Sequence, residues 1–350
     1  MTNKIKTRIK IQVLTLLSLM FSASPAFSIE ISKHISTIID PVPIKRIEPK
    51  YPIDAARDGK SGWAKLSFVI NEEGRVKDVV INEVVGHRGF GKAAKKALRK
   101  WQYSPAMEDG KPIQQCVNTM QMSFQISRGG VSKKFRAEYG EALAAIDDKN
   151  YDLLKKKLEE MSKYAHGMSD EINHYHTLSA HYAEHIKNES LELYHLNRIS
   201  LLDGSADSKR KLSILNKRFY LSVNLNKFQE AFKIYDQLQK LDAAKPHMAA
   251  YNKMIEEVDA FISSENNIII PADIEDKDFW FYSLVRNEFS LVDINGSLNK
   301  LDVRCANKRH VYTVEENNTW SIPKSWKNCS VLIYGDDNTR FKLVEHPLKS

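Results

Sequence analysis

The spacing of apolar residues changes twice along the chain, and each change marks a new block. Between residues 62 and 126, short β-type runs surround one helical run. Residues 62–70 and 75–81 are β-rich, and Asn71-Glu72-Glu73-Gly74 between them is a turn, so the pair predicts a hairpin. Phe90, Ala93, Ala94, Ala97, Leu98 and Trp101 recur at three- and four-residue spacing and predict a helix over 90–101. A last strand is predicted over 117–126. Met120, Met122, Phe124 and Ile126 fall on one parity; Val117, Thr119, Gln121, Ser123 and Gln125 fall on the other. A short helix opened by Pro52 completes the block. The expectation is a small α+β domain over 45–128, with a three-stranded sheet and two helices.

Residues 132–264 then take up helical spacing, with helices expected at 133–147, 151–164, 169–185, 190–202, 207–223, 228–241 and 246–263. Similar punctuation opens alternate helices at Lys149-Asn150, Lys187-Asn188 and Asn226-Lys227, 38 and 39 residues apart. Phe228-Gln229-Glu230-Ala231-Phe232, with Tyr235, Leu238, Leu241 and Pro246, resembles the second helix of a tetratricopeptide repeat (TPR). The usual period is about 34, so these repeats are degenerate or carry longer helices. The reading is an all-α, TPR-like solenoid of three helix pairs, with a protein partner expected on its concave face. An ordinary helical bundle is the alternative. Residues 266–350 return to short strands, at 268–271, 279–285, 289–294, 298–305, 310–314, 330–334 and 340–344, with turn signals such as Asn295-Gly296. They predict a small all-β sandwich. The whole is therefore multidomain.

The N-terminus changes how charge is read. Lys4, Lys6, Arg8 and Lys10 precede an apolar run over 11–21, followed by small residues at Ala26 and Ser28. The run is shorter than the roughly 20 residues of a spanning helix. A cleaved signal peptide over 1–28 and a periplasmic location follow. The alternative is a single uncleaved anchor in the inner membrane. Residues 29–44 read as a linker, reaching about 50 Å when extended. The formal charge of +8 suggests nucleic acid at first sight, but half of it lies in the leader. Residues 40–128 hold 16 basic against 10 acidic side chains. Lys92, Lys95, Lys96, Arg99 and Lys100 form a basic helix face that suits acidic protein segments or lipid headgroups, and nucleic acid is not expected for an exported chain. Export also permits disulfides, and Cys305 and Cys329 are expected to pair, leaving Cys116 free.

The first block carries a recognisable succession: Tyr51-Pro52, Ala55, Gly62, Phe68, Ile70, Gly74 and Val76, then Phe90, Ala93, Ala97, Trp101, Tyr103, Pro105-Ala106, Asp109-Gly110-Lys111-Pro112 and Phe124. It resembles the TonB C-terminal domain family. The resemblance implies partners: outer-membrane TonB-dependent receptors, whose extended TonB box adds as a strand to a sheet edge, and ExbB/ExbD-type motor proteins of the inner membrane. The edge would be the last strand, with Val117, Thr119, Gln121, Ser123 and Gln125 facing the partner. An adaptor assisting energy-dependent uptake, an anchored energy transducer, and an envelope scaffold are the three readings this supports.

Catalysis and cofactors are not indicated. G-x-S-x-G, G-x-x-x-x-G-K-[ST] and G-x-G-x-x-G are all absent from the sequence. His174, His181 and His185 fall on one helical face, with His176 and His195 near in sequence, but no H-E-x-x-H motif accompanies them. A surface face or interhelix packing is the expected role, and no metal site is assigned.

Overall fold

The computed structural model describes residues 38–126, 130–163, 168–201, 207–275, 277–315 and 318–347. The signal-peptide expectation lies outside them. Among the described residues no helix is long and apolar enough to cross a membrane.

The first block runs β1 (Ile38–Ile39), β2 (Pro43–Lys45), α1 (Ile53–Arg57), β3 (Gly62–Ile70), β4 (Val76–Val85), α2 (Gly89–Leu98), β5 (Gln102–Tyr103), β6 (Ala106–Glu108), β7 (Lys111–Ile113) and β8 (Gln115–Phe124). Its main sheet is antiparallel in the order β4-β3-β8. The expected linker contributes two strands, because β1 pairs with β6 and β2 with β5. Strands of two or three residues leave no periodicity, which is why β1, β2, β5, β6 and β7 were not anticipated. Phe90, Ala94 and Leu98 of α2, one helical turn apart, are buried against Leu66, Phe68 and Ile70 of β3. Phe90 stacks on Phe124 at 4.4 Å, and Tyr51 meets both rings edge-on. Gly74 turns the hairpin with φ +74, and a Cβ there would lie 1.9 Å from the Tyr103 carbonyl oxygen. Glycine is therefore required twice over.

The second block comprises α3 (Lys133–Asp147), α4 (Tyr151–Ser162), α5 (Ser169–His185), α6 (Glu189–Leu196), α7 (Ser208–Asn224), α8 (Phe228–Gln239), a 3₁₀ turn over Asp242–His247 and α9 (Met248–Ile262). Each helix packs on the next. The repeated punctuation has a physical basis. Lys149, Lys187 and Asn226 adopt φ +55, +55 and +57. Behind them Asn150, Asn188 and Lys227 donate their amides to the carbonyls of Ala145, Ala183 and Ser222, at 2.8, 3.0 and 2.8 Å. These are three Schellman stops in matching register. Asn150 and Asn188 then cap the following helices, accepting from the amides of Leu153 and Leu191. Ala145, Ala183 and Ser222 are small and fully buried, which lets the following segment approach closely.

The third block comprises β9 (Ile268–Ile274), β10 (Phe279–Ser283), β11 (Glu288–Asn295), β12 (Leu298–Arg304), β13 (Arg309–Thr313), β14 (Thr319–Ser321), β15 (Ser330–Gly335) and β16 (Thr339–Glu345). They form two four-stranded antiparallel sheets, β10-β15-β12-β13 and β14-β11-β16-β9. Leu301, Val303, Val331 and Ile333 of the first share one core with Ile270, Phe289, Leu291 and Leu343 of the second. Trp320 is buried in that core, and Trp280 and Trp326 pack at its margin. β14, three residues long, was missed for the same reason as β1. Cys305 and Cys329 are disulfide-bonded, and Cys116 is a buried free thiol.

The second and third blocks meet at Arg286, 2% exposed. Its guanidinium donates to the carbonyls of Phe261, Ile262, Ser264 and Asn266, which close α9, and to that of Glu345. One cation satisfies the orphan carbonyls of a helix end.

Candidate partner-binding edge

β3 lies in the middle of its sheet, and both of its faces are covered. Leu66, Phe68 and Ile70 face α2, whereas Trp63 packs with Val85 and with Ile172 of α5. Ser67, also fully buried, lies within reach of Arg304 from β12. This double burial explains why the β3 sequence reads as a nearly continuous apolar run with weak alternation.

The two edges of the sheet differ. On β4, Asp78 adopts φ +47 beside a register shift, and its carbonyl accepts from Arg304. The Asn82 carbonyl accepts from Lys277 at 2.5 Å. Both groups come from the third block. β8 pairs with β3 alone among the named strands. Its first half is also held: Cys116 approaches the Lys308 carbonyl, and the Asn118 amide donates to the carbonyls of Arg304 and Asn328. Its second half, Thr119 to Phe124, presents its far backbone edge without a neighbouring strand among the described residues.

The alternation along β8 is broken once. Phe68 pairs with Val117 and Leu66 with Met120, so an extra residue is accommodated between them. Val117 consequently packs against the core of the first block with Met120 and Met122. It does not share a face with Thr119, Gln121, Ser123 and Gln125, which are exposed. The simple two-residue period that grouped all five cannot register a bulge.

Arg88, Lys92, Lys96, Arg99 and Lys100 are exposed along α2, with Lys95 half-buried. None of them has a carboxylate within 4 Å among the described residues. The histidines are taken up in packing. His185 stacks on Tyr151 and His174 lies against Tyr139. His176 and His195 are buried with their Nδ1 atoms 2.9 Å apart, and burial, with Arg198 beside it, pushes the His195 imidazole down to about 4. No three metal-ligating side chains converge among the described residues. Burial pushes the Cys116 thiol up to about 12, so it is unreactive at neutral pH.

Residues 47–126 match the family model described as the Gram-negative bacterial TonB protein C-terminal. The match makes this segment TonB-like and covers less than a quarter of the chain. Two curated relatives, both called Protein TonB, align with it. The one from Pseudomonas aeruginosa is 32% identical over 71 residues, which is 20% of this chain and 21% of the relative. The one from Yersinia enterocolitica is 33% identical over 69 residues, 20% of this chain and 27% of the relative. The chain thus spans about a fifth to a quarter of the length of these relatives. A solution structure of the Pseudomonas aeruginosa TonB C-terminal domain is 30% identical, covers 26% of this chain and 91% of its own, and superposes with a TM-score of 0.24.

The TonB domain is not free-standing in this chain. Arg198 of the helical block pairs with Glu83 of β4 at 2.5 Å. On the other side, Asp302 is 1% exposed and accepts from Arg304 and Arg309, and Arg309 also pairs with Asp78 at 2.8 Å. Burial would push the Asp302 carboxyl up, but the Arg309 and Arg304 guanidinium groups together hold it below the usual carboxylate range. Sequence reasoning missed this junction entirely. Asp78 and Arg309 are 231 residues apart, and no local pattern links them.

Proposed function

We propose that the chain is an envelope binding protein in which the TonB domain captures an extended segment of an outer-membrane receptor by strand addition, in support of energy-dependent transport across the outer membrane. The observation that carries this reading is the open half-edge at Thr119–Phe124, six residues or about 20 Å long. An added strand would receive its affinity from main-chain hydrogen bonds there, and its selectivity from alternate side chains meeting Thr119, Gln121 and Ser123. No strand of the helical or C-terminal β block pairs with this stretch among the described residues, while those blocks hold the sheet at Asp78, Asn82 and Asn118, which favours an adaptor over a domain at the end of a flexible tether.

The test is binding of receptor plug peptides to the exported chain, measured by titration calorimetry. The informative peptides are N-methylated at alternate residues. Methylation on the parity that faces β8 should weaken binding at least about ten-fold, and methylation on the other parity should have little effect. Equal effects on both parities would rule out strand addition. N-terminal sequencing of the mature protein separates the adaptor from an anchored transducer coupled to ExbB/ExbD-type proteins. A start near Ile29 supports the first, and a retained Met1 in the membrane fraction the second.

A further inference from the structure

A cleft lies beside β4, where the TonB domain meets β12 and β15. Its volume is about 590 Å³, within the range of small-ligand sites, and it is formed between blocks, where such sites concentrate. We propose that this cleft binds a small, multiply charged organic anion through Lys77, Arg99 and Lys300.

The inner wall is electrically closed. Arg304 and Arg309 are matched there by Asp302 and Asp78, and their donors are committed: Arg304 to Asp302 and the Asp78 carbonyl, Arg309 to both carboxylates. This wall is rigid and contributes no net charge. The mouth is different. Lys77 and Arg99 come from the TonB domain and Lys300 from β12, and all three line the same cleft. None has a carboxylate within 4 Å among the described residues. Three like charges therefore face one concavity without counterions. Walls of low dielectric constant concentrate their field, which favours anions over the surrounding solvent. Lys300 is also positioned, its ammonium lying 3.6 Å from the centre of the Tyr334 ring. That contact holds the cation over the cleft wall.

A surplus of three charges and a cavity of this size suit a ligand carrying two or three carboxylate or phosphate groups. An acidic macromolecule running along α2 is the competing occupant, because Arg99 also ends the basic face of that helix. The two differ in their use of Lys92 and Lys96, which lie outside the cleft lining.

Titration calorimetry of the exported chain at fixed ionic strength tests this, with citrate as the carboxylate probe and inorganic pyrophosphate as the phosphate probe. At least one should bind saturably, and the preferred one identifies the ligand chemistry. Lys300→Glu and Arg99→Glu should each weaken binding at least about ten-fold, and Lys92→Glu with Lys96→Glu less than about two-fold. Thermal melting within a few degrees of wild type shows that each variant is folded, as expected at exposed positions. No saturable binding of either anion at millimolar concentration overturns the proposal. So does an equal loss in the Lys92/Lys96 variant.

Discussion

Asp302 holds both guanidinium groups through which the C-terminal block reaches Ser67 and Asp78 of the TonB domain, so its removal should loosen that junction. It accepts four charge-assisted hydrogen bonds, from Arg304 Nε and Nη2 at 3.0 and 2.9 Å and from Arg309 Nε and Nη2 at 2.8 and 2.9 Å. Asp302→Asn keeps the volume, but it removes the charge and replaces one acceptor oxygen with a donor facing a guanidinium. Arg304, 1% exposed, would then keep only the Asp78 carbonyl and the more distant Ser67 hydroxyl. Breaking one side of a buried pair costs about 3–5 kcal/mol, mostly because a charge remains buried without its partner. The partial acceptor left on Asn places this variant near the lower end, at about 3 kcal/mol. Urea unfolding followed by tryptophan fluorescence at pH 7 measures it. The mechanism makes a second demand. Asp302→Leu combined with Arg304→Met removes the two fully buried charges, leaves the partly exposed Arg309 its ion pair with Asp78, and should cost less than Asp302→Asn alone, since no fully buried charge then remains without a partner. A single variant that costs less than about 1 kcal/mol, or a double variant worse than the single one, would refute the reasoning.

The other expectations follow from features elsewhere in the fold. Arg286→Met should cost about 3–5 kcal/mol in the same assay, because it removes a buried cation from the Ile262, Ser264 and Asn266 carbonyls and from beside the Glu345 carbonyl, and Arg286→Lys should recover only part of that. Replacing Cys305 and Cys329 with serine should cost about 3 kcal/mol through the freed loop of 24 residues, and alkylation of the unfolded wild type should label Cys116 alone before reduction and all three cysteines after it. Two buried groups tilt stability against pH in opposite directions. Burial holds His195 near 4 against an ordinary 6.5, so its contribution is complete above pH 6.5 and falls by about 3 kcal/mol on acidification to pH 4. Burial lifts the Glu345 carboxyl to about 7 from an ordinary 4.5, so its contribution is complete below pH 4.5 and falls by about 3 kcal/mol as pH rises to 7. These slopes offset each other between pH 4.5 and 6.5. Glu345→Gln should therefore expose the histidine slope, and a flat profile in that variant would contradict the assignment.

What could be read from the sequence was local. The bounds of α3 and α5 follow from apolar spacing, and the hairpin follows from its Asn-Glu-Glu-Gly turn. The 38- and 39-residue punctuation corresponds to three left-handed helix stops, at Lys149, Lys187 and Asn226, which share a local sequence because each ends a helix in the same way. What escaped was non-local or very short. Val117 was assigned to the wrong face because a bulge shifts parity without a compositional signature. The weak alternation of β3 was itself a signal: a strand buried on both faces announces that something covers the second one, but not what. The Asp302–Arg309–Asp78 junction joins residues from opposite ends of the chain and leaves no trace in any window of either.

That junction also bears on which edge remains for a partner. A sheet of three strands has two edges, and each unpaired row of amides and carbonyls is a template for unwanted pairing. Here the β4 edge is bulged at Asp78, and its carbonyls at Asp78 and Asn82 are occupied by Arg304 and Lys277. The first half of β8 is held through Asn118. If the added blocks served only to protect the sheet, the second half of β8 would be a natural stretch to cover as well, since no strand pairs with its far edge among the described residues. Its exposed side chains, Thr119, Gln121 and Ser123, are short and uncharged, so they neither repel an incoming strand nor block its backbone. A β4 edge interrupted at Asp78 and Asn82, beside six consecutive β8 residues with no strand paired on their far edge, is the pattern expected when one pairing is to be permitted and others suppressed.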